Sequence, residues 1–459
     1  MNKALKSISI TLIVLFAGSQ SLWSQEGNVL QFIRSVSQSA NANPAFQNQD
    51  ERMVIGLPIL SGFTLDWKAN FAPDYIFDSD FSYSFERFYN QLGEPGDAFP
   101  AVTVPVFYIS KRSGMQNFSF SVSEKAVATT NFDHDLLHFI DLGTLPYYGQ
   151  PKEELGPLSF NAFYYREVAL GYSTEIWDGL TIGIRPKLLF ARFYYDIPEL
   201  QFEVETNTEQ QQLLVTPKGK YTISGPIEVV LNAEEQATFI RPNPKPGDYF
   251  FNFHNLSPAI DLGLTYRVNK ETELAVSVLD LGYVGFKHRA YEAEFVGSLV
   301  YRQNQLYQSN NPDDPTNYKP PHRALNNFSD RIPYIISAQP VKKRAVQQLP
   351  LKMIVGIKTQ MNKKSEIGVS GQYTGYSGNS YHYLTGFYHT ELGEHWNLAG
   401  AVNLFNTKNI LPGFGASYTG RRAQYFLSTN NITGLLKPTS AKSLNLSFGV
   451  NFLFSTFQN

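Results

Sequence analysis

Cysteine is absent from this 459-residue chain, which excludes disulfide staples, thiol nucleophiles and thiolate metal sites. Charge is scarce. Asp, Glu, Lys and Arg make up 17% of residues and the formal net charge is −2, a balance that gives no electrostatic case for nucleic acid as a partner. Long apolar runs are also missing. Beyond the first residues nothing approaches the roughly 18 apolar residues that a transmembrane helix needs, so any membrane insertion has to be by strands. No nucleophile elbow, Walker loop, HExxH or dinucleotide fingerprint occurs. Ser and His are present but nothing groups them, and the chain reads as a non-enzyme without a cofactor.

What the chain has is aromatic rings and alternation. Phe (35), Tyr (27) and Trp (4) make up 14% of the sequence, a composition that suits strands and interfacial girdles. Ser443 to Phe454 is the clearest stretch. Leu444, Leu446, Phe448, Val450, Phe452 and Phe454 share one parity, and Ser443, Asn445, Ser447, Gly449 and Asn451 the other, with Leu453 the single lapse. Such a segment is a β-strand with one apolar and one polar face. Here it reads as the closing strand of a barrel whose apolar parity meets lipid and whose polar parity meets the lumen.

The same alternation recurs along the chain. Val102 to Tyr108 turns near Gly114 into Phe118 to Val122. Val168 to Ile176 turns at Asp178-Gly179, a strong hairpin signal, into Leu180 to Ile184. Ile260 to Val268, Leu274 to Val278, Leu351 to Ile357, Ile367 to Val369 and Trp396 to Leu404 continue the pattern. Counting back from the closing strand sorts the connections. The turns near Gly420, Gly393, Lys363, Lys270, Gly179 and Gly114 fall on one side. The long stretches Phe71–Phe99, Lys125–Asn161, Asp196–Asn255 and Gly285–Leu349 fall on the other. Short inner turns against long outer loops are the arrangement of an outer-membrane barrel, here all-β, monomeric and antiparallel, with about 14 strands. Pro186, inside one of these runs, should cost a ladder hydrogen bond. Tyr221-Thr222-Ile223 and Val229-Val230-Leu231 are β-like pieces within a long loop, and Phe295 to Tyr301 extends a strand beyond the membrane.

The first residues read as a secretory signal over 1–24. Lys3 and Lys6 supply the positive region, Ile8 to Gly18 the apolar region, and Ser24 precedes cleavage at Gln25. With no Cys at that point, a lipid anchor is excluded. Residues 25–50 include SVSQSANANPAF, too rich in Ser, Asn and Ala for a barrel strand, and 51–459 make the barrel.

The polar parity directs Glu167, Glu175, Asp261, Arg267, Glu273, Lys352, Lys358, Glu366 and Gln372 at the lumen, where mixed charges pair across the interior or line a weakly selective pore. The bland reading, that they hold the barrel together, carries more weight. His134 and His138 are four apart in a short segment of helical character, an amphipathic loop helix before it is a metal site. Asp313 and Asp314 belong to a solvated loop before a calcium site. Lys287, His288 and Arg289, like Arg421 and Arg422, suit head-group contact and simple solvation equally.

Asn43-Pro44-Ala45-Phe46 with Ile55-Gly56-Leu57-Pro58, then Ser277-Val278-Leu279-Asp280-Leu281-Gly282, then Tyr425 to Gly434 and the closing Phe448-Gly449-Val450-Asn451 together resemble a family of uncharacterised Bacteroidota outer-membrane barrels. The chain is more distantly similar to the PorP/SprF-like proteins of type IX secretion and to long-chain fatty-acid transporter barrels. The resemblance implies location and architecture. By analogy with the transporter barrels, residues 25–50 would plug the lumen.

Two functions of different class follow. One is a channel or transporter for small or hydrophobic solutes, with Tyr147-Tyr148 and Tyr194-Tyr195 as an aromatic mouth on outer loops. The alternative is a non-conducting scaffold for protein secretion or surface assembly, binding through Asp196–Asn255 and Gly285–Leu349, because loops this long are uncommon unless functional. The expected location is the cell outer membrane. The expected partners are outer-membrane lipids, the barrel assembly machinery through the C-terminal strand and, for the scaffold, secretion-system proteins.

Overall fold

Alternation along the sequence becomes one continuous antiparallel ladder. The computed structural model describes residues 29–49, 51–76, 85–92, 95–136, 149–207, 209–210, 212–231, 237–242, 247, 253–295, 298–302, 341–376, 379–405 and 409–454. The wall is built from β1 (Met53–Ala69), β2 (Gly96–Ser113), β3 (Gln116–Phe132), β4 (Glu153–Trp177), β5 (Leu180–Asn207), β9 (Leu256–Arg267), β10 (Thr272–Phe286), β15 (Leu351–Asn362), β16 (Ser365–Tyr376), β17 (Asn379–Leu392), β18 (Trp396–Phe405), β19 (Asn409–Thr419), β20 (Ala423–Thr429) and β21 (Ser443–Phe454). Each pairs with the next, β5 with β9 and β10 with β15 included, and β21 closes on β1 from Met53↔Phe454 to Lys68↔Ser443. The result is a closed barrel of 14 antiparallel strands.

Closure leaves no edge, and burial is inverted relative to a soluble sheet. On β21 the polar residues Asn445, Ser447 and Asn451 are 0–2% exposed, while Phe452 and Phe454 are 42% and 46% exposed. An apolar outer face with a polar interior is the distribution that hydrocarbon imposes on a barrel. Leu453, the lapse in the alternation, faces inward at 6% exposure and packs with Val54 and Tyr108. The turns near Gly114, Gly179, Lys270, Lys363, Gly393 and Gly420 fall at one rim, together with the start of β1 and the end of β21. Trp177 and Trp396 stand exposed at that rim, where amphipathic rings favour the interface.

Inside the long outer stretches the chain is more ordered than loops require. Here β6 (Gln212–Ser224), β11 (Ala290–Glu294), β12 (Leu299–Arg302), β13 (Val341–Lys342) and β14 (Ala345–Gln348) add to the sheet, β7 (Ile227–Leu231) and β8 (Ala237–Pro242) pair as a separate two-stranded sheet, and α1 (Phe85–Gln91) and α2 (Ile432–Leu436) sit on loops. The β-like pieces at 221–223 and 229–231 fall in β6 and β7, and β12 lies beyond the wall. Several of the expected loop boundaries move, and β2 begins at Gly96, inside the expected stretch Phe71–Phe99. β3 continues past Lys125, β4 begins at Glu153, and β5 runs on to Asn207. The alternation persists above the membrane, so residue type alone does not mark where lipid ends.

The aromatic mouth expected on outer loops is corrected in part. Tyr194 and Tyr195 lie within β5, paired to Phe163 and Ala162 of β4. Tyr147, Tyr148, His138, Asp313, Asp314 and residues 1–28 lie outside the described residues. Pro186 sits within β5 opposite Ile260, and the ladder to β4 skips from Lys187 to Ile184 beside it.

Candidate solute path through the barrel

Residues 29–48 run through the space that the wall encloses, as two 3₁₀ turns (Val29–Phe32 and Ser37–Asn41) and an irregular tail. Their small polar side chains find partners on strands all around the barrel. The Val29 amide donates to Asn430 Oδ1 (3.0 Å), Gln38 exchanges hydrogen bonds with Asn451 (2.8 and 2.9 Å), and Asn48 Nδ2 donates to Ser110 Oγ (2.9 Å). Asn43 Nδ2 donates to the Leu264 and Val276 carbonyls, and Ser277 Oγ donates to the Ala42 carbonyl (2.7 Å). Opposite Asn43-Pro44-Ala45, the wall carries Gly183 and Gly263. A side chain at either would overlap the backbone or the Asn43 amide, so glycine is what allows this close approach. Arg34 pairs with Glu273 (2.8 Å) and covers the Phe46 ring, and Phe32 stacks on Phe387 at 3.8 Å between centroids.

Beside this segment, toward the outer rim, lies a buried ionic network. Glu167 accepts from Lys125 Nζ (2.7 Å) and Arg185 Nη2 (2.9 Å). Lys187 Nζ reaches Asp261 (2.7 Å) and Asp280 (2.6 Å), and Arg185 also meets Asp261. Lys352 stands 4.0 Å from Asp280. Asn41 ties the network to the inner segment by accepting from Arg185. Glu167, Lys187 and Asp261 are 1–3% exposed, so each charge depends on its partners for the solvation it has lost. Above the network the inward face turns apolar. Phe163, Tyr165, Leu189, Phe286 and Leu349 form one cluster, with the rung Ala101–Val127–Phe163–Tyr194 crossing β2 to β5. A cavity of about 190 Å³ remains between the inner segment, the network and this layer.

The wall is interrupted beside that cavity. Between Gly56 and Thr64, β1 uses eight residue steps where β2 uses five, and no β1–β2 pair forms there. The ladder to β21 shifts at the same place. Ile59, at φ +69°, and Leu60 are thrown outward and exposed. Phe107 is exposed on the lipid side yet lines the interior cavity. Ala101, Val102, Ala126 and Val127 line both that cavity and an outer groove of about 310 Å³ bordered by Leu65, Tyr164 and Phe193. Unpaired backbone at membrane depth is costly unless it borders a cavity or protein, and here it borders a cavity.

The nine residues expected at the lumen separate into groups. Glu167, Asp261 and Lys352 meet in the ionic network. Glu273 binds Arg34 of the inner segment. Lys358 pairs with Glu366 (2.8 Å), which also faces His389, and Gln372 is buried and bonded to Thr374. Glu175 and Arg267 pair with each other near the turn rim, where Arg267 is half exposed, away from the network. The residues not anticipated are Lys125, Arg185, Lys187 and Asp280. Arg185 and Lys187 continue the polar parity of Gly183 and were legible. Lys125 was hidden by ending its strand too early. Asp280 lies within the register shift between Val278 and Leu281 and has φ +58°, so parity alone misplaces it.

Among curated proteins none matches this chain. The solved structures it is similar to include the toluene transporter TbuX of Ralstonia pickettii, with 11% identity, 91% of this chain and 93% of that one covered, and a TM-score of 0.44. The Pseudomonas putida toluene transporter TodX is 8% identical over 91% and 92%, with a TM-score of 0.41. A Pseudomonas aeruginosa FadL homologue is 10% identical over 91% and 94%, with a TM-score of 0.39. Nothing about the solute of this chain follows from those names. The sequence profile described as "Family of unknown function (DUF5723)" matches residues 44–430, from Pro44 of the inner segment to Asn430 on the wall, and the chain belongs to that family.

Proposed function

We propose that this protein is an outer-membrane transport barrel for a small solute that is at least partly hydrophobic, with residues 29–48 as its plug. The observation that carries the reading is the cavity of about 190 Å³ beside the break between β1 and β2. A sealed structural barrel has no need to leave ladder groups unpaired at that depth. The exposed side chains at the break, Ile59, Leu60, Val106 and Phe107, are apolar, which favours a solute able to leave through the wall into lipid. Deleting residues 58–60, the surplus of β1 over β2, would let the two strands pair through. The variant should still show heat-modifiable gel mobility and should lose uptake of a hydrophobic tracer by proteoliposomes. Retained uptake would remove the wall break from the path.

One observation favours a scaffold as the second reading. β5, β6, β11 and β12 raise a sheet with its own apolar core, including Leu155, Phe202, Leu213 and Val215, above the wall. This is the context in which a PorP/SprF-like role in secretion and a Bacteroidota source would belong. A variant lacking residues 29–48 separates the readings in planar bilayers. A plugged transporter gains conductance on losing the segment, and a scaffold with no path stays silent.

A further inference from the structure

A second cavity, of about 520 Å³, opens above the apolar layer at the outer end of β2 to β5, and its walls are polar in a regular way. Asp97, Asn131 and Ser159 stand in one rung across β2, β3 and β4. Two residues along, Thr129, Asn161 and Asp196 form the next rung across β3, β4 and β5. A spacing of two puts both rungs on one face of the sheet. From the opposite wall, Gln347 of β14 reaches over, and Asn161 Nδ2 donates both to Gln347 Oε1 (3.0 Å) and to Asp196 Oδ1 (2.9 Å). Phe99 and Tyr194 border the floor, where the cavity meets the apolar layer. On the other face of the sheet at this level, Ala98 packs with Phe71 and Phe88 of the protein's own loop. The cavity therefore lies beyond the lipid band.

We infer that this cavity is a binding site for a neutral polyhydroxylated solute, a short saccharide. None of the described residues lining it is basic, so an anion finds no counter-charge there. The Asp97 carboxylate has no described side-chain partner and stands open as an acceptor. A cation would use the two carboxylates but would set its own donors against the amide N–H groups of Asn131 and Gln347. Hydroxyl groups both donate and accept, and they match carboxylates, amides and the Thr129 and Ser159 hydroxyls together. The volume lies within the range of small-ligand pockets. This site is independent of the transport path and does not rest on it.

The test is calorimetric titration of the full chain in detergent micelles with maltose, cellobiose, lactose and chitobiose, and with spermidine and citrate as charged controls. At least one disaccharide should bind. Asn131→Ala and Asn161→Ala should each weaken it about tenfold, the effect of one lost hydrogen bond. Asp97→Asn, which keeps an acceptor, should cost less than Asp97→Ala. Heat-modifiable mobility checks the folding of each variant, and Thr129→Val replaces any that fails. Silence of all four disaccharides overturns the proposal. Binding of spermidine alone, lost equally in both Asp97 variants, overturns it in favour of a cation site.

Discussion

β5 passes through two environments and obeys opposite rules in them. In the membrane band its buried residues include the charged Arg185 and Lys187, and its exposed ones Ile182, Ile184 and Leu188. Above the band, after the register shift between Asp196 and Leu200, its buried residues are Leu200, Phe202 and Val204. There Glu203 lies on the watery side, and hydrogen bonds from Lys152 and Lys218 hold its carboxyl below the usual range. One strand thus serves an inside-out barrel and then a conventional sheet. The backbone ladder is the same, and the solvent on the outer face decides which parity is apolar.

The largest expected effect is in the buried network. Lys187→Met leaves Asp261 and Asp280 short of their nearest cation, and removing one partner of a buried pair costs about 3–5 kcal/mol. Urea titration followed by heat-modifiable mobility should show the loss, and an unchanged midpoint would mean that the network is solvated. Next is Leu213→Ala in the outer sheet, where a fully buried side chain leaves a cavity costing about 2–5 kcal/mol. Its effect should fall on protease sensitivity of the outer sheet and leave the barrel's mobility shift intact. The comparison is sharpest with one new residue in two places. Leu446→Arg, on the lipid face of β21, should cost about 2–4 kcal/mol near the midplane. Glu205→Arg, exposed on the outer part of β5, should change stability by about 0.5 kcal/mol or less. Equal effects would erase the boundary between the two regions.

Much of the barrel was legible because strict alternation and tight turns are local signals. Ser443–Phe454 is β21 to the residue, and the turns near Gly114, Gly179, Lys270, Lys363, Gly393 and Gly420 all connect neighbouring wall strands. The outer strands were read only in pieces, at 221–223, 229–231 and 295–301, because alternation carries no mark of which solvent lies outside. The wall break was missed because Leu57 to Leu60 is apolar throughout, and its significance lies in pairing with β2 and β21. The network was half legible. Glu167 and Asp261 follow parity, but Asp280 arrives through an irregular register. Motifs that carried only a resemblance acquire a physical role. Asn43-Pro44-Ala45 seats against Gly183 and Gly263, Ser277 bonds the Ala42 carbonyl, and Asn430 bonds the Val29 amide. They are contacts between the inner segment and the wall.

The absence of cysteine makes the most direct test clean, since any introduced thiol is the only one present. Single cysteines from Leu444 to Asn451 can be spin-labelled in the reconstituted protein, and collision with oxygen can be compared with collision with a water-soluble nickel chelate. Positions 444, 446, 448 and 450 should be accessible to oxygen from the lipid phase. Positions 445, 447, 449 and 451, which face the filled interior, should be shielded from both reagents. Equal access of the nickel chelate at both parities would contradict a plugged barrel with its apolar face in lipid.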